Sequence, residues 1–201
     1  AALSACTTGA GNTAVGQISQ DDVTTGAQNT AIGAGSGHAL TTGSANTSLG
    51  YLANSNNTTG NHNISLGFSA NPSSTTASAE CTLGDANITN LRCNDTSISA
   101  LSDSRDKTDV IDSPYGLDFI NTVRPVQFKW ETRDGNGKDG TTRVGFLAQE
   151  LLASCDGNNA VLDLVMDNNP EKLEAKYGNL VPIMAQAIKE LSAKNDALEA
   201  R

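Results

Sequence analysis

The chain has 201 residues, a net charge of −9 and a hydrophobic content of 37%. That length admits one or two domains. The acidic balance excludes nucleic acid and anionic membrane as main partners, since both select basic patches. No apolar run approaches the roughly 18–20 residues of a membrane span, and no basic stretch followed by an apolar core opens the chain.

Charge divides the sequence. Residues 1–101 hold five acids and one base, and residues 102–201 hold seventeen and twelve. Only Tyr51 and Phe68 among the eight aromatics lie in the first half. That half lacks the large side chains of a conventional core, and it has a period instead. Thr8-Gly9-x-x-Asn12-Thr13-Ala14-Val15-Gly16 returns as Thr25-Gly26-x-x-Asn29-Thr30-Ala31-Ile32-Gly33, then from Thr42 and from Thr59, each time 17 residues on. A decayed fifth copy ends on Leu83-Gly84. The chain opens already in repeat phase, which reads as a fragment of a longer protein. Registered copies point to a repeat architecture and not a linker. Seventeen extended residues would span about 56 Å, so each repeat must fold back as short strands and turns. The small-aliphatic-glycine triplet predicts one inward aliphatic per coil. One per coil is too few for a single chain to bury, so three chains are expected to pool them about an axis.

Residues 88–98 read as a strand carrying this stack to Leu101. Ser113-Pro114 predicts an N-cap with proline at the first helical position, and Pro125 ends that helix. Val126–Trp130 alternates as a strand, Asp134–Gly137 supplies hairpin-turn chemistry, and Val144–Leu147 is the partner strand. A helix follows at Ala148–Leu152. After Pro170 a helix over 171–201 is expected, with Leu180, Met184, Ala187, Leu191, Lys194 and Leu198 stepping 4-3-4-3-4 as a trimer seam. The expected organisation is therefore a repeat segment over 1–101 and a second domain over 102–201.

Cys6, Cys81, Cys93 and Cys155 show no metal-ligand spacing and lie far from His38 and His62, so small buried thiols are expected, with no metal and no cofactor. The Asn-x-Ser/Thr sequons at Asn46, Asn57, Asn63 and Asn94 reflect an Asn/Thr-saturated segment and carry little weight as glycosylation sites.

The repeats over about 8–84 resemble the head repeats of trimeric autotransporter adhesins, which also occur in phage tail fibres. That resemblance implies a trimeric β-roll or β-prism. Three further stretches occur in order: Leu101-Ser102-Asp103-x-Arg105-x-Lys107, then Leu117-x-x-Ile120 leading to Arg124-Pro125-Val126-x-Phe128, and Arg143–Glu150. With the long C-terminal helix, these resemble the C-terminal intramolecular chaperone domain of phage endosialidases, tailspikes and tail fibres, a self-cleaving serine–lysine peptidase family. The whole then reads as mixed α+β: a trimeric β-repeat fibre followed by a small α+β chaperone domain ending in a coiled-coil helix.

By position, the resemblance implies Ser102 as nucleophile, Lys107 as base and Leu101–Ser102 as the bond cut. A serine hydroxyl needs a base to become nucleophilic, and a lysine serves once it loses its proton. Asp103 and Arg105 stand either as orienting residues or as solvated charges. The function expected is a phage tail fibre or tailspike tip whose chaperone domain trimerises, registers the fibre and then cuts itself free once. The alternative is a trimerisation cap that is retained uncut. The partners expected are two further copies of the chain and a host-surface saccharide or protein, with the fibre on the virion tail after folding in the host cytoplasm.

Overall fold

The structure, a computed structural model, describes residues 1–94, 98–132 and 140–200. The described chain packs as two compact units, one built on Ala1–Asn90 and the other on Leu91–Trp130 together with the described residues from 140 on. The hairpin turn expected at 134–137 lies outside the described residues.

The first unit is a β-solenoid. Strands β1 (Thr13–Val15), β2 (Thr30–Ile32), β3 (Thr47–Leu49), β4 (Ile64–Leu66) and β5 (Cys81–Leu83) form one parallel sheet in chain order. Each residue pairs with the one 17 positions on, as in Ala14 with Ala31 and Ala31 with Ser48. The inside is filled differently from the expectation. Successive side chains of a strand alternate faces, and here the middle one turns inward: Ala31, Ser48 and Ser65 are buried while Val15, Ile32, Leu49 and Leu83 are 41–56% exposed. The aliphatic row faces out. The inside carries Val23, Leu40, Ala53 and Ala70 with a polar spine.

That spine is an asparagine ladder. Asn12 Oδ1 accepts from the Asn29 N–H at 2.9 Å, Asn29 Oδ1 from the Asn46 N–H at 2.9 Å, and Asn46 Oδ1 from the Asn63 N–H at 3.0 Å. The Nδ2 groups of Asn29, Asn46 and Asn63 donate to the carbonyls of Gly43, Gly60 and Ala77. Buried backbone that would otherwise lack partners is thus satisfied at every coil. Two of the sequons, Asn46 and Asn63, are rungs of this ladder, and Asn57 is buried as well. Glycine closes each triplet for a steric reason: Gly33 and Gly50 sit at φ 136°, and a Cβ on either would strike the carbonyl of the glycine one coil on.

Beyond β5 the strand expected over 88–98 is absent among the described residues, and 95–97 lie outside them. The second unit contains α1 (Leu117–Ile120), β6 (Val126–Phe128), β7 (Arg143–Gly145), α2 (Ala148–Ser154), α3 (Asn159–Leu162), β8 (Val165–Met166), β9 (Glu174–Ala175) and α4 (Leu180–Glu199). The β6–β7 pair is antiparallel, as the alternating pattern implied. Its core is Leu151, Cys155, Leu162, Leu164, Val165, Leu180 and Ile183, with Phe119, Ile120 and Val123 packed against it. Each such side chain contributes about 1.5–3 kcal/mol by burial.

Two helix boundaries differ from the sequence reading. Ser113 Oγ accepts the Tyr115 N–H in a local turn, and α1 begins at Leu117 after Gly116. The cap comes from far along the chain: the Leu117 N–H donates to Glu190 Oε2 at 2.8 Å. Gln186 Nε2 donates to the other carboxylate oxygen, and the two contacts hold the Glu190 carboxyl below its usual range. The last helix starts at Leu180 and not at 171, because β9 and a 3-10 turn over Tyr177–Asn179 occupy the intervening chain. Pro182 sits in its first turn, where no intrahelical N–H is lost.

Candidate active site

Ser102 and Lys107 lie in an irregular stretch that a single short turn organises. Five residues fully extended would reach about 17 Å. A 3-10 turn over Ser104–Asp106 folds that distance away, and Lys107 Nζ donates to Ser102 Oγ at 2.6 Å. The turn is closed by Asp106 N–H to Asp103 carbonyl at 3.1 Å and Lys107 N–H to Ser104 carbonyl at 3.3 Å. Asp103 and Arg105 are joined: Arg105 Nη2 donates to Asp103 Oδ2 at 2.6 Å. This hydrogen bond lowers the carboxyl pKa and raises that of the guanidinium.

The site is open. Ser102 and Lys107 are exposed, and the flanking apolar side chains Ile98, Leu101, Val110 and Ile111 are 76–104% exposed. Large aliphatics are thus left in water on both sides of the Ser102–Lys107 contact.

Two of the motif segments also meet. Arg124, just before β6, forms an ion pair with Glu150 on α2, with Nε donating to Oε2 at 2.9 Å. The guanidinium holds the Glu150 carboxyl below its usual range. Both groups are solvated, so the pair orients β6 on α2 more than it stabilises them.

The expected helix seam divides in two. Leu180 and Ala187 are buried within the unit, because the side of α4 they share with Ile183 packs the unit's own core. Met184, Leu191 and Leu198 remain 44–64% exposed. Sequence reasoning missed Val181 and Ile188, which are exposed beside them. Val181, Met184, Ile188, Leu191, Asn195 and Leu198 step 3-4-3-4-3, a second heptad-spaced stripe of the same helix. The cysteines also differ from expectation. Cys81 and Cys93 are exposed, Cys6 is half-buried and only Cys155 is buried. Cys81 occupies the outward row of Thr13, Thr30, Thr47 and Ile64, and burial pushes the Cys155 thiol up.

Comparison with known families places this geometry. Residues 102–162 match the model of the family described as chaperone of endosialidase. The match opens on the serine that meets Lys107. This stretch is similar to the chaperone-of-endosialidase family. The matched span ends at the close of α3, so α4 and its exposed stripe lie beyond it. No curated protein and no solved structure matches the chain.

Proposed function

We propose that this chain is the C-terminal part of a phage tail fibre or tailspike, whose chaperone domain trimerises, registers the solenoid, and then cuts the Leu101–Ser102 bond. The contact between Ser102 Oγ and Lys107 Nζ at 2.6 Å carries this reading. Ser102 Oγ attacks the carbonyl carbon of Leu101 while its proton passes to Lys107 Nζ. The C–N bond then breaks, the Ser102 amine takes a proton, and Leu101 is left esterified to the Ser102 side chain. Water hydrolyses the ester, leaving a carboxylate on Leu101 and an amine on Ser102. Proximity supplies on the order of 7–11 kcal/mol of such a barrier. The reaction occurs once per chain.

Assembly supplies what a single chain leaves open. A lysine acts as a base only after losing its proton, and burial is what favours that loss. Three copies meeting over Ile98, Leu101, Val110 and Ile111 would bury the pair, so cutting follows assembly. The outward row Val15, Ile32, Leu49 and Leu83 and the α4 stripe from Val181 to Leu198 give the same three copies an apolar seam in each unit. Templating addresses a slow step, because register between chains is entropically costly to find. Cutting then makes folding irreversible.

Denaturing gels test the dyad. Ser102→Ala and Lys107→Ala abolish cutting, the first for want of a nucleophile and the second for want of a proton acceptor. Ser104→Ala leaves cutting unchanged. Two fragments from Ser102→Ala together with one from Ser104→Ala would move the nucleophile to Ser104 and overturn the assignment.

A further inference from the structure

We infer that Asp103 is a positioning residue for the cut, acting as the cap that holds the turn between Ser102 and Lys107. This rests on the serine–lysine reading above. A three-residue 3-10 turn has almost no stability of its own, since its few backbone bonds do not offset the ordering cost. The turn over Ser104–Asp106 buries no residue, so packing does not hold it either. What holds it is Asp103. Its backbone is extended, with φ −67° and ψ 133°, the conformation an N-cap requires, and its Oδ1 accepts the Arg105 N–H at 2.9 Å.

Asp103 also takes Arg105 Nε at 3.0 Å and Nη2 at 2.6 Å. The two interactions are unequal in consequence. An ion pair between exposed groups contributes little, whereas the cap satisfies a backbone donor at the start of the turn and orients it. Losing the turn separates Lys107 Nζ from Ser102 Oγ without touching either group. The cap therefore sets the fraction of chains in which the pair is in contact, and with it the cutting rate. A lost N-cap lowers such a population by roughly 2- to 30-fold.

The test measures the cutting rate of the full chain, refolded and assembled, by timed denaturing gels. Asp103→Ala is expected to slow cutting by roughly 2- to 30-fold, with the pH dependence of the rate keeping its wild-type shape. Asp103→Asn and Asp103→Ser each retain an oxygen acceptor and are expected to restore the rate to within about threefold. Arg105→Ala, which keeps the cap and removes the ion pair, is expected to cut at nearly the wild-type rate. The cap assignment is overturned if Asp103→Asn is as slow as Asp103→Ala, if Arg105→Ala is as slow, if the pH profile shifts, or if Asp103→Ala fails to assemble. Continued cutting by Ser102→Ala would instead overturn the dyad itself, so the two failures are distinguishable.

Discussion

Replacing Asn46 by alanine removes one rung of the solenoid's polar spine, and the structure sets the size of the effect. Asn46 Nδ2 donates to Asn29 Oδ1 at 3.0 Å and to the Gly60 carbonyl at 2.9 Å. Its Oδ1 accepts the Asn63 N–H at 3.0 Å. Alanine leaves that N–H buried with no acceptor, which costs about 1–3 kcal/mol, and removes two further bonds of about 1 kcal/mol each. The sum, about 3–5 kcal/mol, is a large part of the roughly 5–15 kcal/mol that holds a domain folded. Thr47, the next residue, is exposed, and Thr47→Ala should stay within about 0.5 kcal/mol of wild type. Urea unfolding read by two probes locates the effect. Trp130 is the chain's one tryptophan, packed edge-on against Phe128 in the second unit, so its fluorescence reports that unit. Far-UV circular dichroism reports both. Asn46→Ala should move the dichroism transition and leave the fluorescence transition in place. A loss no larger than that of Thr47→Ala would refute the ladder as the solenoid's stabilising element.

Gly33→Ala should destabilise the same unit by about 2–5 kcal/mol, combining a disallowed φ with a clash against the next coil's backbone; the same pair of probes measures it. Ile183→Ala and Ile188→Ala separate the two sides of α4. The first empties a core position and should cost about 2–5 kcal/mol by the Trp130 transition, while the second should leave that transition unmoved and shift the assembly towards monomer in light scattering at low concentration. The Glu190 contact to Leu117 should make the second unit acid-sensitive. A carboxyl held below its usual range adds stability that is present at neutral pH and disappears as the pH falls from the usual carboxylate range through its lowered value. Glu190→Gln, which keeps an acceptor oxygen for the Leu117 N–H, should flatten that loss in an acid titration followed by Trp130 fluorescence.

The repeat unit was legible because its signal is a period. Thr13, Thr30, Thr47 and Ile64 come into register one coil apart, as the 17-residue step implied. Which side chain of each triplet points inward was not legible. Alternation along a strand fits either arrangement, and the structure turns Ala31 and Ser48 inward and Ile32 outward. In the second unit the antiparallel pairing of β6 with β7 agrees with the alternating strands read from the sequence, and α2 begins at Ala148, where a helix was expected. The start of α1 did not, because its cap is Glu190, 73 residues away in sequence. On α4 two apolar stripes share the helix, and burial against the unit's own core takes Leu180 and Ala187, which no spacing rule distinguishes from the exposed stripe. Ser102 and Lys107 were singled out by resemblance and not by spacing alone, and the 3-10 turn between them, with Asp103 as its cap, is announced by no pattern.

The central claim is that the chain assembles and then cuts itself at one bond. Intact mass analysis of the purified, assembled protein, with sequencing of any new N-terminus, tests it most directly. The account predicts two species, residues 1–101 and 102–201, the second beginning at Ser102, and a single species of 201 residues from Ser102→Ala. A single 201-residue species from the assembled wild-type protein would contradict it and leave the second unit as a cap retained on the fibre.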